Sequence, residues 1–280
     1  NTVYEVLYDY EVQSHRAEDI ALLAGHLMRR PVDMAARLGN ETDSANHLFV
    51  VNGGDGTVAV LNSRKSQKMT GWTLLVTSGW ATRVAVVGGA PYFLVRREIA
   101  GVARWFVERL DPEFRLDAAM RLAADAPTEL WRGLDGFEGA TVDLIGDGAP
   151  LGAATVTGGA VVAPYPVSTL EVGFAFDWAV ETMPVAVSGE GPIGGRHRIT
   201  QAAIRMHRTA GVSVNGRMLR GRRFGDVVLD GAPEPVTGVR TVRFLGWRGG
   251  RAGVAGATVR LTGSSRLPAT ILSVVSEVAQ

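Results

Sequence analysis

The sequence predicts a mostly β fold: propeller-like blades with one packing helix, followed by a β-sandwich or barrel-like domain. Three observations carry that expectation. A β pattern occurs twice between Asn46 and Leu110, the 35 glycines fall mostly at the ends of apolar runs, and short strand-like segments alternate with glycine turns from Leu130 onward. In the first copy, His47-Leu48-Phe49-Val50-Val51 meets Asn52-Gly53-Gly54-Asp55-Gly56, returns through Thr57-Val58-Ala59-Val60-Leu61 and reaches Trp72-Thr73-Leu74-Leu75-Val76. In the second, Val84-Ala85-Val86-Val87 meets Gly88-Gly89-Ala90-Pro91, continues as Tyr92-Phe93-Leu94-Val95 and reaches Trp105-Phe106-Val107. Apolar runs of this length between glycine reversals read as antiparallel strands in sheets buried on both faces, as propeller blades are. Two blades cannot close a ring, so closure is expected to need other segments or other subunits.

The chain opens on a strand-like stretch over residues 3–8, and its start at Asn1 reads as processing or as a partial chain. A helix is expected over 14–30. Ile20, Leu23, Ala24, Leu27 and Met28 share one face of a 3.6-residue period. Ser14 stands at the cap, Glu18 and Asp19 near the positive end, Arg29 and Arg30 near the negative end, and Pro31 at the stop. A second helix is expected over 115–124. The boundary falls near Ala126-Pro127, which gives a propeller-like domain over 1–126 and a sandwich-like domain over 127–280. In the latter, strands are expected at 141–145, 153–157, 160–162, 170–176 and 199–207, with turns too closely spaced for a parallel α/β sheet.

Composition narrows the class. Hydrophobic residues make up 46% and charged residues 20%, ordinary for a globular chain. A formal net charge of +1 gives no global pull toward nucleic acid or membranes. With no cysteine there is no disulfide, thiolate metal site or cysteine nucleophile, in keeping with synthesis in a reducing cytoplasm. No apolar run reaches the roughly 18 residues of a membrane span.

The search for chemistry yields little. Gly189-Glu190-Gly191-Pro192-Ile193-Gly194 satisfies G-x-G-x-x-G, but Pro192 and the strand-like segment that follows put it outside the strand-to-helix turn of a dinucleotide site. His15 and His26 could share a helical face, and His47, His197 and His207 are dispersed. Asp143 with Asp147, and Asp226 with Asp230, sit beside glycines and read as turn aspartates bonded to their own backbone. No enzymatic activity, no catalytic or metal-binding residue and no cofactor is expected. The charge distribution is more informative. Between Gly191 and Gly225 stand Arg196, Arg198, Arg205, Arg208, Arg217, Arg220, Arg222 and Arg223, with no acidic residue. Such a segment either tracks a phosphate backbone or pairs with carboxylates on another domain or subunit. The lack of interleaved aromatics favours the second. Arg196, Arg198, Arg205, Arg208, Arg220, Arg222 and Arg223 are thus candidates for a DNA channel or a subunit interface.

One family resemblance spans nearly the whole chain. Asp19-Ile20-Ala21-Leu22-Leu23-Ala24-Gly25-His26-Leu27, Leu48-Phe49-Val50-Val51 with Asp55-Gly56-Thr57, and Arg64-Lys65-Ser66-Gln67-Lys68-Met69-Thr70-Gly71-Trp72 come first. Val107-Glu108-Arg109-Leu110-Asp111, Trp131-Arg132-Gly133-Leu134-Asp135-Gly136-Phe137, Phe244-Leu245-Gly246-Trp247 and Leu272-Ser273-Val274-Val275-Ser276 follow. In this order the series resembles the tail nozzle, or tail tubular protein B, family of short-tailed bacteriophages. The resemblance implies a structural virion protein made in the host cytoplasm and built into the tail. It further implies a hexameric ring around the channel through which genomic DNA leaves, in contact with other tail proteins. It carries over no catalytic residue, and members of that family are longer than this chain. The competing expectations are a β module that recognises a host surface glycan and, third, a glycan-acting enzyme.

Overall fold

The computed structural model describes residues 2–39, 45–183, 198–219, 221, 234–243 and 258–279. The chain divides into two compact units, residues 1–113 with 135–140, and residues 114–134 with 141–280.

The first unit begins with an antiparallel hairpin of β1 (Tyr4–Asp9) and β2 (Ser14–Asp19), paired from Tyr4↔Asp19 to Asp9↔Ser14. A meander follows: β3 (Pro31–Arg37), β4 (Asn46–Asn52), β5 (Val58–Arg64) and β6 (Met69–Leu75) form one four-stranded sheet. Then β7 (Trp80–Val87), β8 (Ala90–Ile99) and β9 (Val102–Arg109) form a three-stranded sheet. Side chains alternate between the faces of a strand, and the β-branched and aromatic residues of the repeat use this to bury both faces of the four-stranded sheet. Phe49, Val51, Val58 and Val60 pack against Ala81, Val84, Phe93 and Val95 of the three-stranded sheet. On the opposite face Val50 and Ala59 pack against Ala21 and Met28.

The turn between β4 and β5 locks this stack. Asn52 is fully buried; its side chain donates to the Leu27 carbonyl at 2.9 Å and accepts from the Arg29 amide at 2.9 Å. Gly56 adopts φ +72°, and a Cβ there would lie 2.7 Å from the Trp80 ring, so the position requires glycine on both counts.

In the second unit β10 (Asp117–Arg132), β11 (Thr141–Gly146), β12 (Ala149–Thr155) and β13 (Ala160–Phe174) make a sheet of order β10-β13-β11-β12. After β14 (Asp177–Glu181) come β15 (Arg198–Thr209), β16 (Ser213–Val214), β17 (Arg217–Met218), β18 (Val236–Arg243), β19 (Arg260–Ser264) and β20 (Ile271–Ala279). These divide into sheets of order β14-β19-β16-β17 and β18-β15-β20. Their facing sides share a core in which Ala202, Ile204 and Met206 meet Val212, Val214 and Leu261.

Three expectations are corrected. The architecture is neither propeller nor barrel: among the described residues there are six open sheets, none closed on itself. A propeller blade buries both faces, whereas the outer face of β7–β8–β9 leaves Trp105 57% and Val107 75% exposed. The helix over 14–30 does not form. Pairing with β1 draws residues 14–19 into a strand, only a 3-10 turn at Gly25–Leu27 remains, and Leu23, placed on the buried face, is 92% exposed. The helix over 115–124 is replaced by β10, whose cross-strand pairing with β13 overrides the helical propensity of its alanines. Among the described residues there is no α-helix, hence none long and apolar enough to cross a membrane.

Candidate functional site

The feature least explained by the fold is the β1–β2 hairpin. Its base is held to the four-stranded sheet, where the Trp72 indole N–H donates to the Ile20 carbonyl at 2.8 Å. Beyond the base no described residue forms a covering layer over the ribbon. Tyr4, Val6, Tyr8, Tyr10 and Val12 are all exposed, Tyr10 to 85%. The rings organise one another: Tyr8 meets Tyr10 edge-on at 5.0 Å and His15 edge-on at 5.4 Å. Asp9 shapes the reversal by accepting the Glu11 amide at 2.9 Å. A two-stranded ribbon is marginal alone in water, and a contiguous exposed apolar surface marks an interaction site. The ribbon is also acidic, with Glu5, Asp9, Glu11, Glu18 and Asp19 against Arg16. A signal was present in the sequence, since Tyr4, Val6, Tyr8, Tyr10 and Val12 recur with the period of a strand; the helical reading of residues 14–30 hid the partner strand.

The arginine candidates fare unevenly. Arg196, Arg220, Arg222 and Arg223 lie outside the described residues, and of Arg198 only the backbone, at the start of β15, is described. Arg205 and Arg208 are exposed on β15. Arg205 stands between Val239 of β18 and Ser273 of β20, its direct cross-strand partners. Arg208 falls at a bulge with φ +42°, and its amide donates to the Thr237 hydroxyl at 3.0 Å. The bulge breaks simple alternation, so their odd separation does not send these two side chains to a buried and an exposed face. Arg217, on β17, donates from Nη1 to the Arg243 carbonyl at 3.1 Å.

The aspartates are structural, though not in the way their glycine neighbours suggest. Asp143 accepts from Arg266 Nε at 2.7 Å and from the Ala175 amide at 2.9 Å. Asp147 accepts the Ser168 and Thr169 amides and the Thr169 hydroxyl, which hold its carboxyl below the usual carboxylate range. Both therefore fasten segments distant in sequence, not their own turns. Asp226, Asp230, His197 and the Gly189–Gly194 motif lie outside the described residues. His15 is on β2 and His26 in the 3-10 turn, so the shared helical face does not exist. Burial, then the nearby Arg37, hold the His47 imidazole below the ordinary histidine value against a backbone hydrogen bond at Ala45. Among the described residues no three His, Asp or Glu side chains converge as metal ligands would.

A cleft of about 860 Å³ opens on the β14-β19-β16-β17 sheet. Asp177, Ser213, Arg260 and Thr262 give it polar groups, and Trp178 and Met218 give it apolar surface. The Trp178 ring covers Gly263, where a Cβ would come within 2.5 Å of it.

No protein-family model matches the chain, and no curated protein matches it.

Proposed function

We propose that this chain is a structural virion protein of a bacteriophage tail, which joins copies of itself into a ring around the channel for outgoing DNA. The observation that carries the reading is the β1–β2 hairpin, an aromatic and acidic ribbon whose faces no described residue of its unit covers. Association between copies buries such a surface, and a contact between two different patches generates a ring when its rotation closes. The resemblance to the tail nozzle family supports a six-fold ring in contact with other tail proteins. The exposed Arg205 and Arg208 of β15 supply cations either to a neighbouring copy or to the DNA backbone. Sedimentation velocity over a range of concentrations tests the reading. The full chain is expected to run as a discrete multimer, and Val6→Ser with Tyr10→Ser to shift it toward single copies. A wild-type chain that stays a single copy at every concentration defeats the proposal.

The cleft supports a second reading, a module that binds a host surface glycan. A tryptophan flanked by hydroxyls, a carboxylate and a guanidinium is the kind of lining that sugar rings and their hydroxyls use. A glycan array probed with the full chain and with Trp178→Ala decides it: retained glycans lost in the variant favour this reading, and an empty array removes it.

A further inference from the structure

The hairpin's counterpart can be sought on the same unit. Among the described residues no layer covers the outer face of β7–β8–β9, and register sets its composition. Arg96 on β8 stands directly between Trp80 on β7 and Trp105 on β9. The next row is Arg83, Leu94 and Val107. Trp105, Val107 and Arg96 are exposed, and the Trp80 ring rests against Gly56 at the rim. Exposed tryptophans interleaved with arginines are the composition of interface centres. The face also carries Arg109, which holds Asp111, and a single carboxylate of its own, Glu98.

We infer that this face receives the β1–β2 hairpin of a second copy of the chain. Charge is the first argument: the ribbon has five carboxylates against Arg16, while on the face Arg83 and Arg96 outnumber Glu98, Arg109 being paired with Asp111. Layer order is the second. The hairpin is rooted at Val3 and Ile20, on the side of the four-stranded sheet where Val50, Ala59 and Trp72 pack. The three-stranded sheet lies on the other side, against Phe49, Val51, Val58 and Val60, with its Trp105 face turned outward. Sheets stack about 10 Å apart, and six extended residues reach about 20 Å. A hairpin rooted beyond the far layer therefore cannot fold back over two layers onto the outer face of its own copy. The two surfaces are different and lie on opposite sides of the unit, so the contact is head-to-tail, the kind that propagates into a ring or a filament. This inference rests on the ring reading and adds to it the contact that joins neighbours.

The test uses the full chain with a photo-crosslinking phenylalanine analogue in place of Tyr10, mixed with isotopically heavy copies. The expected product joins position 10 of one copy to the β8–β9 peptide containing Trp105 of another. Arg83→Glu with Arg96→Glu should weaken self-association about 3- to 10-fold, as should Glu11→Arg with Glu18→Arg, and combining all four should recover most of the loss. A wild-type chain that assembles, but crosslinks within one copy or to another surface, overturns this contact and leaves the ring standing. The same holds if it assembles undisturbed while a single-stranded oligonucleotide occupies the Trp105 face. Failure of the wild-type chain to assemble at all overturns the ring itself.

Discussion

Arg97, 1% exposed, meets Glu108 through two parallel bonds, Nε to Oε1 at 2.6 Å and Nη2 to Oε2 at 2.7 Å. Ser78 and Thr77 hydroxyls accept two further guanidinium bonds at 2.8 and 2.7 Å. A charge so far from water is tolerated only with its partner in place, so removing one member should cost far more than replacing both. Glu108→Leu is expected to destabilise the chain by about 3 kcal/mol or more, and Arg97→Met with Glu108→Leu by much less. Urea denaturation of the two variants measures the difference. Equal losses would mean that the pair is not a coupled unit.

Met28 and Leu23 lie close in sequence but at opposite extremes of exposure, 3% and 92%. Met28→Ala should cost about 2 to 5 kcal/mol through the cavity it leaves against Val50 and Ala59. Leu23→Ala should stay within about 0.5 kcal/mol, as surface changes do. Comparable losses would restore the helical face that the fold has removed.

That contrast shows where the sequence was legible. The strands of 46–110 could be read because continuous apolar runs of strand length end at glycine turns, all local information. Ser14–Asp19 has no such pattern; its strand depends on pairing with Tyr4–Asp9. Asp19–Met28 supplied a genuine 3.6-residue spacing, but the Asn52 side chain and the β4–β5 turn fix residues 27–30 in another path. The same limit applies to the site. The partners of Asp143 and Asp147 lie in segments distant in sequence, with Arg266 as far as 123 residues away. The Trp80, Arg96 and Trp105 row exists only through register.

Gly56 and Gly101 separate two effects of adding a side chain. Both have positive φ, +72° and +80°, but only at Gly56 would a Cβ meet the Trp80 ring and backbone, within 2.8 Å. Gly101→Ala should cost about 1 to 2 kcal/mol from the backbone alone. Gly56→Ala should cost clearly more and lower the thermal midpoint further. A smaller loss at Gly56 would mean that the turn does not press on Trp80.

Asp147 should contribute to acid sensitivity. Its carboxyl is held below the model-compound value of 3.8 by the Ser168 and Thr169 amides and the Thr169 hydroxyl, so folding favours the ionised form. The stabilisation is therefore fully present above that value and is lost as pH falls through the lower folded value. Asn tolerates the φ of +44° at this position. Asp147→Asn should accordingly be less stable than wild type at neutral pH and approach it in strong acid. A difference independent of pH would assign the loss to packing.

Whether copies of this chain close head-to-tail into a ring is decided by cryo-electron microscopy of the assembled chain. A closed ring gives end-on averages with rotational symmetry, six-fold as in the tail nozzle family, and each hairpin seated on the Trp105 face of the next copy. A lone copy without rotational symmetry, or a two-fold dimer joined through identical patches, would contradict it.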